Sequence, residues 1–463
     1  MCDGGVTKKK RALTITDPDI LPKAGMPASP ALRQAQDGTG RYRWWVLGVL
    51  TLAQGCHALD RAVIGLVLEP VTIEFGLTDS QAGLLAGLSY GAAFAIMAIP
   101  FGIAVDRFNR RNLLAVVLSL WSGLTVVCGF MNSYIGLLLA RAAVGGAEAG
   151  GSPTGMSLLT DYFRPAQRAS AVGYWYMSAG VGMLVAFMGG GIIAEHYGWR
   201  MVFIAAGIPG LLVAVLLLFT VREPVRGALD EAVKVRAGEK TDGSGLPFGR
   251  RLALIASAPG LVHCMIGLIL IAVASSGIAA WLAPLLIRIH DFGLAEAGVA
   301  VALTLGLAGS VGVGLAGAFV DRLNKTRGYS AARSAIIAAA IITIAALSGA
   351  ASFLSTSVVV SMAFLLLLGL FITAYNGPAN GLIITISDPR VRGLSVALVQ
   401  FGANLVGFGL GPVIIGQISE WAGGGEALRW GMMAILAFYL WGALHFLLAA
   451  RAISRRTPAT LAG

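Results

Sequence analysis

The chain is dominated by apolar runs of about 20 residues or more, and short polar segments separate them. An α-helix needs a run of about that length to cross the hydrocarbon core of a bilayer. The residues are 57% hydrophobic and only 12% charged, whereas a soluble domain carries about 25% charged residues. The ten-residue alternation of a membrane β-barrel strand does not recur. These features predict an all-α membrane protein.

Twelve of these runs are predicted to be membrane-spanning helices. Residues 222–258, which are charged and contain Gly-Ser-Gly, are predicted to be a cytoplasmic linker between six-helix bundles at 41–221 and 259–451. Residues 1–40 and 452–463 are predicted to be cytoplasmic tails, the first of them disordered and without the apolar core of a signal peptide. The predicted helices are 44–68, 79–105, 112–131, 133–162, 167–194, 200–221, 259–287, 295–319, 333–353, 357–386, 393–418 and 430–450.

The net charge of +11 would suit a nucleic-acid partner, but the positions of the basic residues favour a different explanation. With the amino terminus inside, 29 of the 34 Lys and Arg residues fall in the tails and cytoplasmic loops. Arg200, Arg288 and Arg429 lie outside, and Arg61 and Arg141 lie within helices. The positive-inside rule therefore predicts a multi-pass protein of the cell membrane with both termini in the cytoplasm, and no nucleic-acid partner.

The two halves of the chain repeat each other in the same direction. "EFGLTDSQAG" at 74–83 returns as "DFGLAEAG" at 291–298, and "GIAVDRFNRR" at 102–111 returns as "GAFVDRLNKT" at 317–326. Same-direction repeats are related by an axis along the membrane normal, and they place a substrate site between the halves near the midplane.

The element at 102–111 resembles the loop motif between helices two and three of the major facilitator superfamily. The resemblance implies the major facilitator fold, in which two six-helix bundles are related by pseudo-two-fold symmetry, and it implies a monomeric carrier that works by alternating access. It also implies that Asp106 latches one half to the other in the outward-facing state; a plain helix cap is the alternative. The gating residues are then Gly102, Asp106, Arg107, Arg110 and Arg111, with a second copy at Gly317, Asp321 and Arg322.

Four charged residues fall within the predicted helix cores: Asp60, Arg61, Arg141 and Glu148. A charge there costs roughly 2.5 to 3.5 kcal/mol on insertion scales, so each needs a cavity or a partner. Asp60 and Arg141 each lie eight residues from the outer end of their helix, and the rise per residue puts both about 12 Å deep. We therefore expect them to pair. The alternative is a static salt-bridge network without a transport role.

Three neighbours of this pair have predicted positions of their own. Glu148 lies almost two turns beyond Arg141 on the same face. His57 shares the face of Asp60, as a proton relay or as a satisfied polar residue in a helix seam. Arg61 is about 100° away from Asp60 around the helix, so we expect it to face a neighbouring helix or the outer lumen as a structural charge.

"HALDR" at 57–61 and "RAAVGGAEA" at 141–149 resemble the Spinster family. That resemblance implies transport of amphiphiles of the lysophospholipid or sphingoid type, with proton coupling. Asp60, His57 and Glu148 are then the proton-coupling candidates. We expect protonation of Asp60 to release Arg141 so that it holds an anionic head group. His57 departs from the aromatic-rich pattern that animal members show before Asp-Arg.

The second half offers no charged residue within its helix cores. A cavity with charge on one wall and a neutral, apolar lining on the other suits an amphiphile, although such polar residues also serve as glue between helices. A small organic anion carrier that uses Arg141, a drug efflux carrier and a receptor are the alternatives. No enzyme motif, metal site or cofactor is predicted. The substrate-binding candidates are Arg141, Glu148, Trp281, Tyr375, Asn376, Asn380, Gln400 and Asn404.

Overall fold

The computed structural model describes residues 40–226 and 246–455, and these residues fold into helices and connecting turns. Residues 1–39 and 456–463, which make up most of the predicted tails at 1–40 and 452–463, and the centre of the predicted linker lie outside the described residues. Helices α1 to α6 form the amino-terminal bundle, and α7 to α12 form the carboxy-terminal bundle. Their bounds are α1 Tyr42–Phe75, α2 Asp79–Arg107, α3 Arg110–Cys128, α4 Tyr134–Glu148 continuing as Gly151–Tyr162, α5 Pro165–Leu184 continuing to Tyr197, α6 Trp199–Thr220, α7 Leu261–His290, α8 Leu294–Arg327, α9 Ala331–Leu354, α10 Val358–Ile386, α11 Arg392–Trp421 and α12 Leu428–Ser454.

Ten of these helices are long and apolar enough to cross a membrane. The two that complete the predicted twelve are α1 and α4, which carry the charged residues of the helix cores. Helix α4 is interrupted by a turn at Ala149 and Gly150. The all-α class and the division into two bundles of six helices are therefore as predicted.

Helix α1 is longer than predicted, because it passes through Pro70 and ends only at Phe75. It ends at Gly76, whose φ of 58° is a left-handed conformation that costs glycine little. The backbone N–H of the residues that follow returns to carbonyls of the last turn, as in many helix ends. The additional turns bring Glu69 and Glu74 into the helix.

The two ends of the bundles carry opposite charges. We call one the basic end; its helix termini carry Arg107, Arg110, Arg164, Arg327, Arg392 and Arg451. The other is the acidic end, which carries Glu69, Glu74, Asp79, Glu195, Asp291, Glu296, Glu420 and Glu426. The charge distribution predicts that the basic end faces the cytoplasm.

The two bundles touch closely through glycines on the acidic side of the molecule. A Cβ added at Gly83 of α2 would lie 2.6 Å from the carbonyl oxygen of Pro412 in α11. At Gly298 of α8 it would lie 2.3 Å from the carbonyl oxygen of Phe187 in α5. Backbones can approach this closely only where no side chain intervenes.

Toward the basic end the corresponding helices leave open space. An added Cβ would meet no atom within 4 Å at Gly102 of α2, Gly317 of α8, Gly381 of α10 or Gly393 of α11. The bundles are therefore closed together at the acidic end and separate toward the basic end.

The helices that make the close contacts are also irregular near their middles. Helix α2 has a turn at Gly87, and α5, α8 and α11 contain π-helical segments at Val185–Gly189, Ala302–Ala308 and Ala403–Phe408. Gly87 and Ala302 are 215 residues apart, which is also the spacing of the repeated motif. Such segments loosen the regular hydrogen bonding and are frequent at functional sites.

Candidate functional site

Glu148 of α4 lies at the centre of a buried group of polar side chains in the amino-terminal bundle. It has no solvent exposure, and its Oε2 accepts a hydrogen bond from the hydroxyl of Tyr90 in α2. The Nε2 atom of His57 lies 3.3 Å from the same oxygen. The other oxygen, Oε1, has no hydrogen-bond partner among the described residues. Glu148 therefore retains an acceptor inside the bundle.

Asp60 of α1 is equally deep and has still fewer contacts. It is 1% exposed, and neither carboxylate oxygen has a hydrogen-bond partner within the part of the chain that the structure describes. Trp121 and Thr125 of α3 are neighbours of the group, and their own side-chain polar atoms are likewise unpartnered there. A carboxylate in this environment lowers the free-energy cost of its burial by taking up a proton.

The predicted ion pair between Asp60 and Arg141 is not formed in this structure. Arg141 is 1% exposed, and its Nε and Nη1 have no hydrogen-bond partner among the described residues. The two residues lie close enough to interact electrostatically, as their predicted common depth requires. Because Arg141 is almost fully buried, its predicted contact with a head group would need another conformation.

Tyr90 connects these charges and was not identified from the sequence. The guanidinium carbon of Arg141 lies 5.4 Å from its ring centroid, and that of Arg61 lies 5.2 Å from it. Both distances suit a cation–π interaction. The available signal was a lone tyrosine in an apolar helix between Gly87 and Gly91, two positions at which α2 packs directly on α11.

Arg61 crosses from the amino-terminal bundle to the carboxy-terminal bundle. Its guanidinium lies 3.8 Å from the ring centroid of Phe408, and its Nη2 donates to the Oδ1 of Asn404 at 3.3 Å. Both partners belong to α11. Of the two predicted orientations, the structure shows the one toward a neighbouring helix. Arg61 is half-buried, and it is the arginine of this group that contacts both bundles.

A small cavity of about 10 Å³ opens beside His57, which is about the space that one water molecule needs. Asp60 and Glu148 are not part of its wall, so His57 connects the cavity with the buried carboxylate of Glu148. The wall consists of Leu50, Ala53, Gln54, His57, Leu114, Trp121, Gly151, Ser152, Gly155 and Trp175.

The predicted polar residues of the carboxy-terminal bundle divide into two groups. Gln400 and Asn380 are exposed, and Asn376 and Asn404 are half-buried, so all four have access to space outside the packed core. Asn404 and Asn380 each also donate to a backbone carbonyl four residues earlier. Tyr375 is buried, with Ser275 nearby.

The expectation that Trp281 lines the cavity is not met. Its side chain is completely buried, and its indole N–H donates to the carbonyl oxygen of Pro412 at 2.9 Å. Pro412 lies within α11. Its carbonyl oxygen is within reach of the Trp281 side chain of α7. Trp281 therefore joins α7 to α11 as a packing residue.

A second polar group joins the bundles at the acidic end. Arg288 of α7 donates from Nε to Glu69 and from Nη1 to Asp79, both at 2.8 Å. Asp79 also accepts from the hydroxyl of Ser419 in α11 at 2.5 Å. A cavity of about 390 Å³ adjoins this cluster. The sequence prediction missed it because it ended α1 at residue 68 and α7 at 287, which put Glu69 and Arg288 outside the helices.

The predicted gating residues lie at the basic end, and most of them are exposed. Arg110 is buried and donates to Asp161 of α4 and to Glu223, which follows α6. Arg111 is half-buried. The Asp106 side chain is exposed, while its carbonyl oxygen accepts from Arg226 at 2.5 Å. The backbone N–H of Arg111 donates to Glu223. Gly317 is half-buried, and the exposed positions are Gly102, Asp106, Arg107, Asp321 and Arg322.

One carboxylate outside the membrane-spanning segments is strongly perturbed. Hydrogen bonds from the Arg390 guanidinium lower the pKa of Asp388 to about 2. Asp388 lies in the turn between α10 and α11 and therefore stays ionised throughout the neutral pH range. Among the described residues, no group of three or more His, Cys, Asp or Glu side chains is placed to hold a metal ion.

Comparison with known proteins gives concordant results. Residues 50–348 match the family model of the Major Facilitator Superfamily. The chain is 26% identical to an MFS-type efflux pump of Mycolicibacterium smegmatis over 414 residues, which cover 88% of this chain and 93% of that protein. It is 29% identical to the Drosophila melanogaster protein spinster over 204 residues, which cover 44% of this chain and 33% of that protein.

A solved structure extends the similarity over most of the fold. The crystal structure of a bacterial homologue of the human lysosomal transporter Spinster, in an inward-facing and unoccupied conformation, superposes with a TM-score of 0.78. It is 27% identical and covers 90% of this chain and 98% of that one. The twelve-helix fold, the family match and this similarity agree with each other: the chain belongs to the Major Facilitator Superfamily, as a non-enzymatic transporter that resembles the Spinster proteins.

Proposed function

We propose that this transporter couples the movement of protons to that of an amphiphile with an anionic head group, of the lysophospholipid type. The observation that carries the proposal is a group of four charges: the buried Asp60, Glu148 and Arg141, and the half-buried Arg61. Of these four residues, Arg61 is the one that contacts the second bundle. Both carboxylates keep oxygens without hydrogen-bond partners among the described residues.

The charge balance of this group links the proton to the substrate. With both carboxylates ionised and both arginines protonated, the group is neutral. Each proton taken up by Asp60 or Glu148 leaves one positive charge uncompensated, at a depth where an uncompensated charge is costly. An anionic head group that binds there restores neutrality. Protonation therefore favours substrate binding, and substrate binding favours protonation.

His57 is the proposed proton entry point. It lines the small cavity and lies 3.3 Å from Glu148. A proton that arrives at the imidazole needs only one further transfer to reach a buried carboxylate. The unpaired oxygens of Asp60 are the second acceptor within the group.

Arg61 is the proposed head-group residue, in preference to Arg141. It is half-buried, and its contacts with Asn404 and Phe408 are a hydrogen bond and a cation–π interaction rather than a salt bridge. A phosphate would replace them with paired hydrogen bonds between opposite charges, whose geometry matches the guanidinium fork. This electrostatic argument supports a phosphate-bearing amphiphile over a sphingoid amine, whose own positive charge would be repelled.

The closed acidic end and the open basic end support alternating access. On the orientation that the charge distribution predicts, the structure is an inward-facing state in the cell membrane, with the site reached from the cytoplasm. The exposed gating residues, Asp106 among them, are then free to latch the basic end in the opposite state. We propose that the contact that closes the cytoplasmic side in this superfamily forms between these residues at the basic end.

Flux measurements in proteoliposomes test the proposal. Uptake of a lysophospholipid should be accelerated by a pH gradient, and a sphingoid amine or a small aromatic carboxylate of equal concentration should not compete. Arg61→Gln should lower lysophospholipid flux tenfold or more, because it removes a charge-assisted contact. Arg164→Gln, an exposed arginine at the basic end, is the matched control.

Two outcomes would contradict the proposal. Wild-type flux in Arg61→Gln would exclude this residue from the head-group site. Competition by small aromatic carboxylates, without lysophospholipid flux, would favour the organic-anion alternative. The similarity to an MFS-type efflux pump over 88% of the chain supports drug efflux as the second candidate, and export of hydrophobic cations would identify it.

A further inference from the structure

A short helix in the predicted linker has one apolar and one polar face. It spans Phe248–Ser257, directly before α7, and we call it the linker helix. At 100° per residue, Phe248, Leu252 and Ile255 share one face, and Arg250 and Ser257 lie opposite. Ile255 is buried against the protein, whereas Phe248 is 63% exposed and Leu252 is 38% exposed. The apolar face therefore continues past the edge of the bundle.

This helix is anchored beside the carboxyl end of α12. Three residues connect it to α7, and at Gly260, whose φ is 77°, an added Cβ would lie 2.9 Å from the carbonyl oxygen of Ala449. The close backbone contact fixes the start of α7 against the last turns of α12. The linker helix thus lies where the membrane-spanning helices end, at the level of the bilayer surface.

Four arginines belong to the described segments that meet at this corner of the molecule. Arg250 and Arg251 belong to the linker helix, and Arg451 and Arg455 belong to the last turns of α12 and its end. Neither residues 246–290 nor residues 427–463 contain an Asp or Glu. Arg250, Arg451 and Arg455 are exposed. The corner therefore presents positive charge without a local carboxylate from either segment.

We propose that the linker helix is a binding site for anionic phospholipids of the adjacent leaflet. Its apolar face, through Phe248 and Leu252, inserts at the boundary between head groups and acyl chains, as interfacial amphipathic helices do. The arginines hold lipid phosphates, for which the planar guanidinium is well suited. The lipid would anchor the start of the carboxy-terminal bundle. This site is independent of the substrate path.

Spin-label accessibility tests the orientation of the helix in the full-length protein. Leu252→Cys and Ser257→Cys are labelled in a Cys2→Ser background, because Cys56, Cys128 and Cys264 are buried. In vesicles that contain phosphatidylglycerol, the label at 252 should be relaxed more by oxygen than by a water-soluble nickel complex. The label at 257 should show the reverse. Greater nickel accessibility at both positions would overturn the proposal.

Titration with short-chain phosphatidylglycerol tests the chemistry of the site. Arg250→Gln combined with Arg251→Gln should weaken binding about tenfold or more, since each basic residue near an anionic surface contributes about fivefold. Arg164→Gln combined with Arg327→Gln removes the same charge elsewhere at the basic end and should leave affinity unchanged. Equal weakening by both pairs would indicate general electrostatic attraction and overturn a defined site, as would equal affinity for phosphatidylcholine.

Discussion

Tyr90 is the residue on which the geometry of the buried charges depends most directly. It donates a hydrogen bond to Glu148 and stacks its ring near Arg61 and Arg141. A side chain that contacts three of the four charges can transmit a change in the protonation of one to the position of another. Its hydroxyl and its ring therefore have separable roles.

Tyr90→Phe is predicted to leave Glu148 without this donor while retaining the ring. Loss of one hydrogen bond to a buried acidic group should cost about 1 to 3 kcal/mol of stability, measured by thermal unfolding in detergent. The pH dependence of transport should shift as well, because the donor stabilises one protonation state of Glu148 over the other. Tyr134→Phe, whose hydroxyl donates only to a backbone carbonyl at the acidic end, is the control. An unchanged pH profile in Tyr90→Phe would contradict this role.

The depth of the charges was predictable from the sequence, but their contacts were not. The rise per residue placed Asp60 and Arg141 at one level, and the structure places them in one buried group. Direct pairing also depends on how the two helices are rotated and on which side chains lie between Asp60 and Arg141. The sequence alone did not show that Tyr90, from a different helix, would contact this group. The 100° separation of Arg61 from Asp60 around α1 correctly indicated a different neighbour, and Arg61 contacts α11.

At the scale of helices, closure of the acidic end depends on glycines that have no room for a side chain. Gly298 of α8 is the tightest of those discussed, because an added Cβ would lie 2.3 Å from the carbonyl oxygen of Phe187. The π-helical segments in α5 and α8 begin a few residues away. These helices can adjust near their middles while their acidic ends stay in contact.

Gly298→Ala is predicted to separate α5 from α8 and to favour opening of the acidic end. Overpacking of this kind destabilises a structure by about 1 to 3 kcal/mol. Here it would destabilise only the state in which the acidic end is closed. Spin labels at Tyr197→Cys and Trp421→Cys, exposed positions at the acidic ends of α5 and α11, should report a longer distance. Gly314→Ala on the same helix, where an added Cβ meets no atom within 4 Å, should not change it. Unchanged distances in both variants would refute the role of Gly298.

The linker helix shows what the sequence prediction missed at this scale. The charged residues and Gly-Ser-Gly of residues 222–258 predict a cytoplasmic linker and do not mark a helix within it. The amphipathic pattern occupies only ten residues at its end. A helix this short gains its stability from packing and from an interface rather than from propensity.

For the whole molecule, closure of one end is a balance between the two bundles, and Arg288 contributes to it electrostatically. Arg288 belongs to α7 of the carboxy-terminal bundle, and it forms salt bridges with Glu69 and Asp79 of the amino-terminal bundle. Arg288→Gln is predicted to leave these two neighbouring carboxylates without their basic partner from the other bundle. The loss should destabilise the closed state by roughly 2 kcal/mol or more.

The same pair of spin labels measures this effect. The distance between positions 197 and 421 should lengthen in Arg288→Gln. Arg200→Gln is the matched control, because Arg200 pairs with Glu74 at the same end but within one bundle. A shift of equal size in the control would mean that surface charge, rather than the link between bundles, governs closure.

The two-bundle architecture was predictable because apolar run length, basic-residue asymmetry and the internal repeat all point to it. The conformational state was not predictable, because the same sequence includes the residues that make the contacts of each state. Asp106 illustrates this: the motif marks it as a latch, while its side chain is exposed in a structure closed at the opposite end.

Proton uptake that accompanies substrate entry tests the central claim most directly. In lightly buffered proteoliposomes with a pH indicator inside, lysophospholipid addition should cause proton movement in the wild-type protein and in Asp388→Asn, whose carboxylate has a pKa of about 2 in the native protein and stays ionised at neutral pH. Asp60→Asn combined with Glu148→Gln should abolish that movement. Wild-type proton movement in the double variant, with substrate flux intact, would contradict the account.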